Sequence, residues 1–164
     1  MTRISGWRRV GAVAVLAGTL AVAGAARAGE AEDAATIKHL LESAHITYKP
    51  TKSPTVFTAD YTGKTIGSMK VIIAVQGDLV VIFTNPMRKG QFATSQEALY
   101  KMARMNHEFD FVKVEIDDDG DFAVRADIDS GATPAQFKRI CDQVAASTNE
   151  AYETMAPYRI ASGK

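Results

Sequence analysis

Val71–Val75 and Leu79–Phe83 are unbroken apolar runs separated only by Gln76-Gly77-Asp78, and this short stretch limits the fold more than any other. Met69 extends the first run on its N-terminal side. β-Branched residues on both sides of a Gly-Asp turn predict an antiparallel hairpin. A hairpin with one wet face should alternate apolar and polar residues, and neither run does. Both faces of the hairpin at residues 69–83 are therefore expected to be covered, one of them by helices. The second cover is a chain segment, a second subunit or a partner.

Helices able to cover the first face are legible on either side. Glu30–Ala44 places Ile37, Leu40, Leu41 and Ala44 on one helical stripe. Pro50–Pro54 breaks that pattern as a linker or turn, and Val56–Tyr61 reads as a strand closed by Thr62-Gly63-Lys64. After a loop at Asn85–Ala93, Thr94-Ser95-Gln96-Glu97 has the form of a capping box. It opens a helix with Leu99, Met102, Ala103 and Asn106 on one side. Phe109–Asp117 alternates, with Val112, Val114 and Ile116 on one face and Phe111, Lys113 and Glu115 on the other. Asp118-Asp119-Gly120 turns the chain into a return strand of Phe122, Val124, Ala126 and Ile128 against Arg125 and Asp127. Thr133-Pro134-Ala135-Gln136 is a second capping box, with proline at the first helical position. Phe137, Ile140, Cys141, Val144, Thr148, Ala151, Tyr152 and Met155 share one stripe, which Pro157 ends. The order α-β-β-β-α-β-β-α predicts an α+β domain, an antiparallel sheet with helices packed on it. A hydrophobic content of 46% can furnish its core.

Ahead of this domain stands a segment of different character. Arg3, Arg8 and Arg9 precede an uncharged run from Val10 to Gly24, followed by Ala26-Arg27-Ala28. Positive start, apolar middle and A-x-A ending predict a secretory signal peptide, residues 1–28, cleaved after Ala28. The run falls short of the roughly 20 apolar residues a membrane-spanning helix needs. Residues 1–28 hold four of the nineteen basic residues and none of the nineteen acidic ones. Fifteen basic residues then face nineteen acidic ones, a net charge of −4 for residues 29–164. That balance argues against nucleic acid and anionic membrane surfaces as partners. The expected location is periplasmic or secreted. Cys141, the sole cysteine, has no internal disulfide partner, and its place on a core stripe predicts a buried, inert thiol.

The stretch Met102–Asp117 carries a resemblance. Its helix holds Asn106 near its end and leads into Phe111-Val112-Lys113-Val114-Glu115-Ile116-Asp117-Asp118-Asp119-Gly120. This resembles the hallmark of the YbjN family, F-x-K-x-x-x-D-x-x-G after a helix-ending asparagine. The likeness extends over about residues 33–158. It implies a fold similar to type III secretion chaperones, a curved antiparallel sheet with helices on it, a tendency to dimerise, and a binding role without catalytic residues. The family is named for sensory transduction regulation, and an export signal sets this chain apart from cytoplasmic members.

Weighed singly, the chemical candidates are thin. Asp117, Asp118, Asp119 and Asp121, with Glu115 nearby, offer oxygens suited to calcium, but Gly120 stands before Asp121 where an EF-hand loop would not have it. An Asp-Gly hairpin turn is the simpler reading. His39 and His45 are six residues apart, too far to align on a helix, and His107 sits at a helix-to-strand turn. Ser95 belongs to a cap and Cys141 to a core stripe, so no nucleophile with a base stands out, and no cofactor or metal is implied. The expected function is an exported, non-enzymatic protein-binding module of chaperone or adaptor type, homodimeric and with a protein partner. The alternative is a periplasmic sensor of a small ligand or metal ion. The surface expected to meet a partner or second copy comprises Val71, Ile73, Val81, Phe83, Met87, Phe92 and Met105, the last three as the better candidates for exposed contacts.

Overall fold

The computed structural model describes residues 20–160, with side chains from Gly29 onward. A six-stranded antiparallel sheet has the order β1-β2-β3-β4-β6-β5. Its strands are β1 (Lys49–Pro50), β2 (Val56–Gly63), β3 (Gly67–Gln76), β4 (Leu79–Met87), β5 (Lys113–Ile116) and β6 (Phe122–Asp129). The helices are α1 (Leu20–Ser43), α2 (Gln96–Glu108) and α3 (Pro134–Thr154), with a single 3-10 turn at Ala156–Tyr158. Most of the expected signal segment lies outside the described residues. The expected cleavage point after Ala28 falls within α1, well ahead of Ile37, Leu40 and Leu41, the residues by which α1 enters the core.

All three helices bury their stripes in one core against one face of the sheet. Ile37 and Leu41 from α1, Met102 and Met105 from α2, and Phe137, Ile140, Cys141 and Val144 from α3 meet Phe57, Val71, Ile73, Val80, Ile82, Val114, Phe122 and Val124 from the strands. The stripe expected on α3 is buried in full except for Tyr152, which is half-buried. Thr133 closes the expected capping box with Gln136. At the end of α1, His45 takes the left-handed position that glycine usually fills, with φ +55°, and Ile46 N–H returns to Leu41 O at 2.9 Å.

The structure departs from the sequence pattern at four places. Lys49–Pro50 is a short edge strand on β2 rather than linker, and the proline sits where its missing N–H costs no ladder bond. β4 continues through Asn85 to Met87, across a register shift between Thr84 and Met87 that accommodates Pro86. β5 starts at Lys113, because Phe111 has φ +63° and leaves extended geometry. On α2 the cap is Ser95, not Thr94, and position N3 is Ala98, so the first expected capping box does not close. The buried stripe is accordingly Ala98, Met102 and Met105, while Leu99, Ala103 and Asn106 face out.

The ladders do not all run the full length of the strands. β2 and β3 stay paired down to Gly63↔Gly67, and β4 and β6 stay paired to Met87↔Phe122. Between β3 and β4, pairing stops at Ile72↔Phe83. The sheet therefore forks between residues 67–71 and 84–87.

Candidate functional site: the open face of the sheet

Alternation along each strand fixes what the opposite face carries. The registers Ile72↔Phe83, Ala74↔Val81 and Val56↔Ala74 set these side chains side by side on the face that the helices leave uncovered. Phe83↔Arg125, Val81↔Asp127 and Glu115↔Ala123 continue the same face onto β6 and β5. An apolar stripe of Ile72, Ala74, Val81, Phe83 and Ala123 thus crosses the middle of the open face. Val81 and Ala123 are shielded by their neighbours, each 3% exposed, whereas Ile72, Ala74 and Phe83 are half-buried.

Charge brackets the stripe on both sides. Asp60 on β2 takes Lys49 at 2.6 Å and Lys70 at 3.2 Å, and the two ammonium groups hold its carboxyl below the usual range. On the far side Arg125 binds Asp127 at 2.7 Å and approaches Glu115 at 3.9 Å, with Lys113 also 3.9 Å from Asp127. The exposed pairs around Asp60 contribute little to stability, and the half-buried Arg125–Asp127 pair stands at the edge of the stripe, so together they act on what approaches it. Each rim mixes both signs and repels neither cation nor anion outright.

A shallow cavity of about 210 Å³ lies beside the stripe, floored by Val81, Phe83 and Ala123 and edged by Glu115, Asp118, Asp119 and Arg125. The acidic turn that edges it is held by its own hydrogen bonds. Asp117 accepts from Asp119 N–H at 3.1 Å, Asp121 N–H at 2.8 Å and Asn85 Nδ2 at 2.8 Å. Asp121 is buried and accepts from Lys89 N–H at 2.8 Å and from the Arg88 guanidinium at 2.5 Å. The Lys89 amide, then Arg88, hold its carboxyl below the ordinary value. These oxygens fasten the β5–β6 hairpin to the end of β4, and among the described residues no group of three metal-ligating side chains converges.

The seven residues expected on a contact surface separate by face. Val81 and Phe83 lie on the open side. Val71, Ile73, Met87, Phe92 and Met105 belong to the core, Phe92 in an edge-to-face contact with Phe122 at 5.7 Å. The sequence could not assign faces because both hairpin runs are apolar at every position. Ile72 and Ala74, which complete the stripe, carry the same lack of signal.

Cys141 is fully buried and unpaired, and burial pushes its thiol up to about 12. Because the thiolate is the reactive species, native protein at pH 8 should leave an aromatic disulfide reagent unreacted for hours and react within seconds in denaturant. A stoichiometric burst from the native protein would contradict the buried placement. His39 and His107 are exposed on α1 and α2, while His45 serves the α1 cap, so the three imidazoles do not share a site.

Asn106 has a role that its place in the sequence motif conceals. Its side-chain amide donates to Val114 O at 2.9 Å and accepts from Val114 N–H at 2.6 Å. The amide thereby acts as one residue of a further strand, closing the outer edge of β5, the last strand of the sheet. Residues 33–157 match the YbjN family, described as "Putative bacterial sensory transduction regulator". The chain belongs to the YbjN family. The crystal structure of YbjN from E. coli is similar with a TM-score of 0.54 at 12% identity, over 73% of this chain and 91% of that one, and this likeness shows the shared fold. A chain of the heterodimeric ExoU–SpcU complex from the type III secretion system of Pseudomonas aeruginosa aligns with a TM-score of 0.49 at 12% identity, over 66% of this chain and 88% of that one. No curated protein matches the sequence. In this YbjN-family chain the motif residues are structural: Asn106 seals the β5 edge, and Asp117 and Gly120 build the turn, where Gly120 has φ +84°.

Proposed function

We propose that this YbjN-family protein is an exported, non-enzymatic binding module whose open sheet face self-associates into a homodimer. The observation that carries this reading is the apolar stripe Ile72–Ala74–Val81–Phe83, contiguous across β3 and β4 on the face without helices. Water on both sides of a hairpin gives no reason for such a run, whereas burial against a second copy does. The rims support a like-on-like contact, since each mixes both signs, Lys49 and Lys70 with Asp60 on one side and Arg125 and Lys113 with Asp127 and Glu115 on the other, and neither presents a strong single-sign field. Export is supported by the arginine-led apolar segment and Ala26-Arg27-Ala28, and the −4 charge that follows fits a protein partner better than a phosphate backbone.

The test is Phe83→Lys in the purified protein, followed by sedimentation velocity. Truncating or charging a central aromatic anchor costs about 2 kcal/mol or more, so the dimer should weaken by roughly thirtyfold or more. The melting temperature of the dilute protein should stay nearly constant, because Phe83 stands outside the helix-covered core. Wild-type protein that sediments as a monomer at all concentrations would overturn the dimer.

A further inference from the structure

The fork between β3 and β4 is a built feature with fixed walls. On one side, α3 holds the β2–β3 turn: Asn149 Oδ1 accepts from Thr65 N–H at 2.8 Å and Ile66 N–H at 3.3 Å, and Thr65 Oγ1 donates to Glu153 at 3.2 Å. Gly63 lies so close to Asn149 that a Cβ there would stand 2.5 Å from its Oδ1, so this tether depends on glycine. On the other side, β4 is fastened to the β5–β6 hairpin through Asn85, Arg88 and Asp121. Pro86, with no N–H to give, lies in the stretch of β4 that has left the ladder to β3.

A cavity of about 390 Å³ fills the fork, with Ser68, Lys70 and Ile72 on one wall, Thr84, Asn85 and Arg88 on the other, and Thr148 and Tyr152 of α3 beneath. Its floor is closed: Thr148 Oγ1 donates to Val144 O at 2.6 Å, so Thr84 gives the proton in the 2.7 Å hydroxyl pair. Its sides are open. Residues 68–71 are paired to β2 only, and Asn85 Oδ1 is buried without a hydrogen-bond donor among the described residues. No carboxylate lines the cavity, while Lys70 shares one carboxylate with Lys49, and the Arg88 side chain is 68% exposed beside its contact to Asp121.

We infer that the β3–β4 fork is a docking site for an extended, acidic segment of a partner protein, which pairs its main chain with Ser68–Val71 and sets a carboxylate between Lys70 and Arg88. Free strand edges recognise an extended backbone by its N–H and C=O groups, and the local excess of positive charge, two lysines on one carboxylate beside the exposed Arg88, chooses the side chain. A donor from the segment also satisfies Asn85 Oδ1. The inference does not depend on the dimer, because Ile72 alone belongs to both the stripe and the fork, and the fork runs on from it away from the Val81–Ala74 pair.

The experiment is selection of random octapeptides displayed on phage against the purified protein, counter-selected on Ser68→Trp, an exposed position where the indole fills the fork. Enriched sequences should carry Asp or Glu within a β-prone run. A synthetic copy of the strongest one should lose about tenfold or more in affinity on N-methylation of alternate backbone nitrogens, and a similar factor on Lys70→Glu. Both protein variants should keep the wild-type melting temperature, and a Ser68→Trp that unfolds is replaced by Ser68→Tyr, a smaller ring at the same exposed position. No enrichment over the filled fork, or binding indifferent to N-methylation, overturns the inference. Loss of self-association in Ser68→Trp would show the occupant to be a second copy, which also overturns it.

Discussion

Phe122→Ala should destabilise the protein by about 3–5 kcal/mol, the usual cost of emptying a large aromatic site in a core. Phe122 is fully buried at the start of β6, where it pairs with Ile116 of β5 and with Met87 of β4 just past the bulge, and its ring meets Phe92 edge-to-face. Three separate parts of the chain lose contact together when it is truncated. Domains of this size have about 5–15 kcal/mol in total, so the substitution takes a large share. Urea unfolding should show the midpoint displaced with an unchanged slope. A loss under about 1 kcal/mol would mean that water or another side chain already occupies the place assigned to the ring.

Asn106→Ala should cost roughly 1–3 kcal/mol and make the protein prone to associate through β5. Two hydrogen bonds to Val114 disappear, and the main-chain groups of a buried strand residue are left to find water. The uncovered strand edge then offers a template to other chains. Asn106→Asp is the informative companion, because a carboxylate still accepts from Val114 N–H yet cannot donate to Val114 O. It should fall between wild type and alanine in stability and remain soluble. Light scattering during thermal melting separates the two effects. If Asn106→Ala melts and scatters as wild type does, the amide does not close the edge.

The helix-and-strand order was legible because its signals were local: β-branched runs, Gly-containing turns, a proline-led capping box at Thr133 and a long stripe on α3. Where two neighbours could both serve, the sequence pattern slipped by one. Thr94 and Ser95 are each good caps, and choosing the first carried the α2 stripe from Ala98–Met102–Met105 to Leu99–Met102–Asn106. That slip also hid the role of Asn106, which faces the strand edge and not the core. The same ambiguity governs the hairpin at residues 69–83. With Val71 to Val75 all apolar, nothing local says that Val71 and Ile73 point to the helices while Ile72 and Ala74 point away. Met87, Phe92 and Met105 looked peripheral because they sit near a loop or off the expected stripes. Long-range packing, including the Phe92–Phe122 contact, draws them inside. The fork was beyond local reading altogether, since it comes from Asn149 on α3 acting across more than eighty residues of chain on the β2–β3 turn.

Hydroxyl-radical footprinting across a dilution series tests the central claim most directly, because it reads the open face of the unmodified protein. Phe111 and Tyr100, 67% and 66% exposed and away from the stripe, serve as internal references. Self-association through the open face requires Phe83 and Ile72 to be protected at high concentration and oxidised progressively on dilution, while Phe111 and Tyr100 react at a constant rate. Phe83 and Ile72 oxidised equally at every concentration would show the stripe to be free in water, and the homodimer would have to be abandoned.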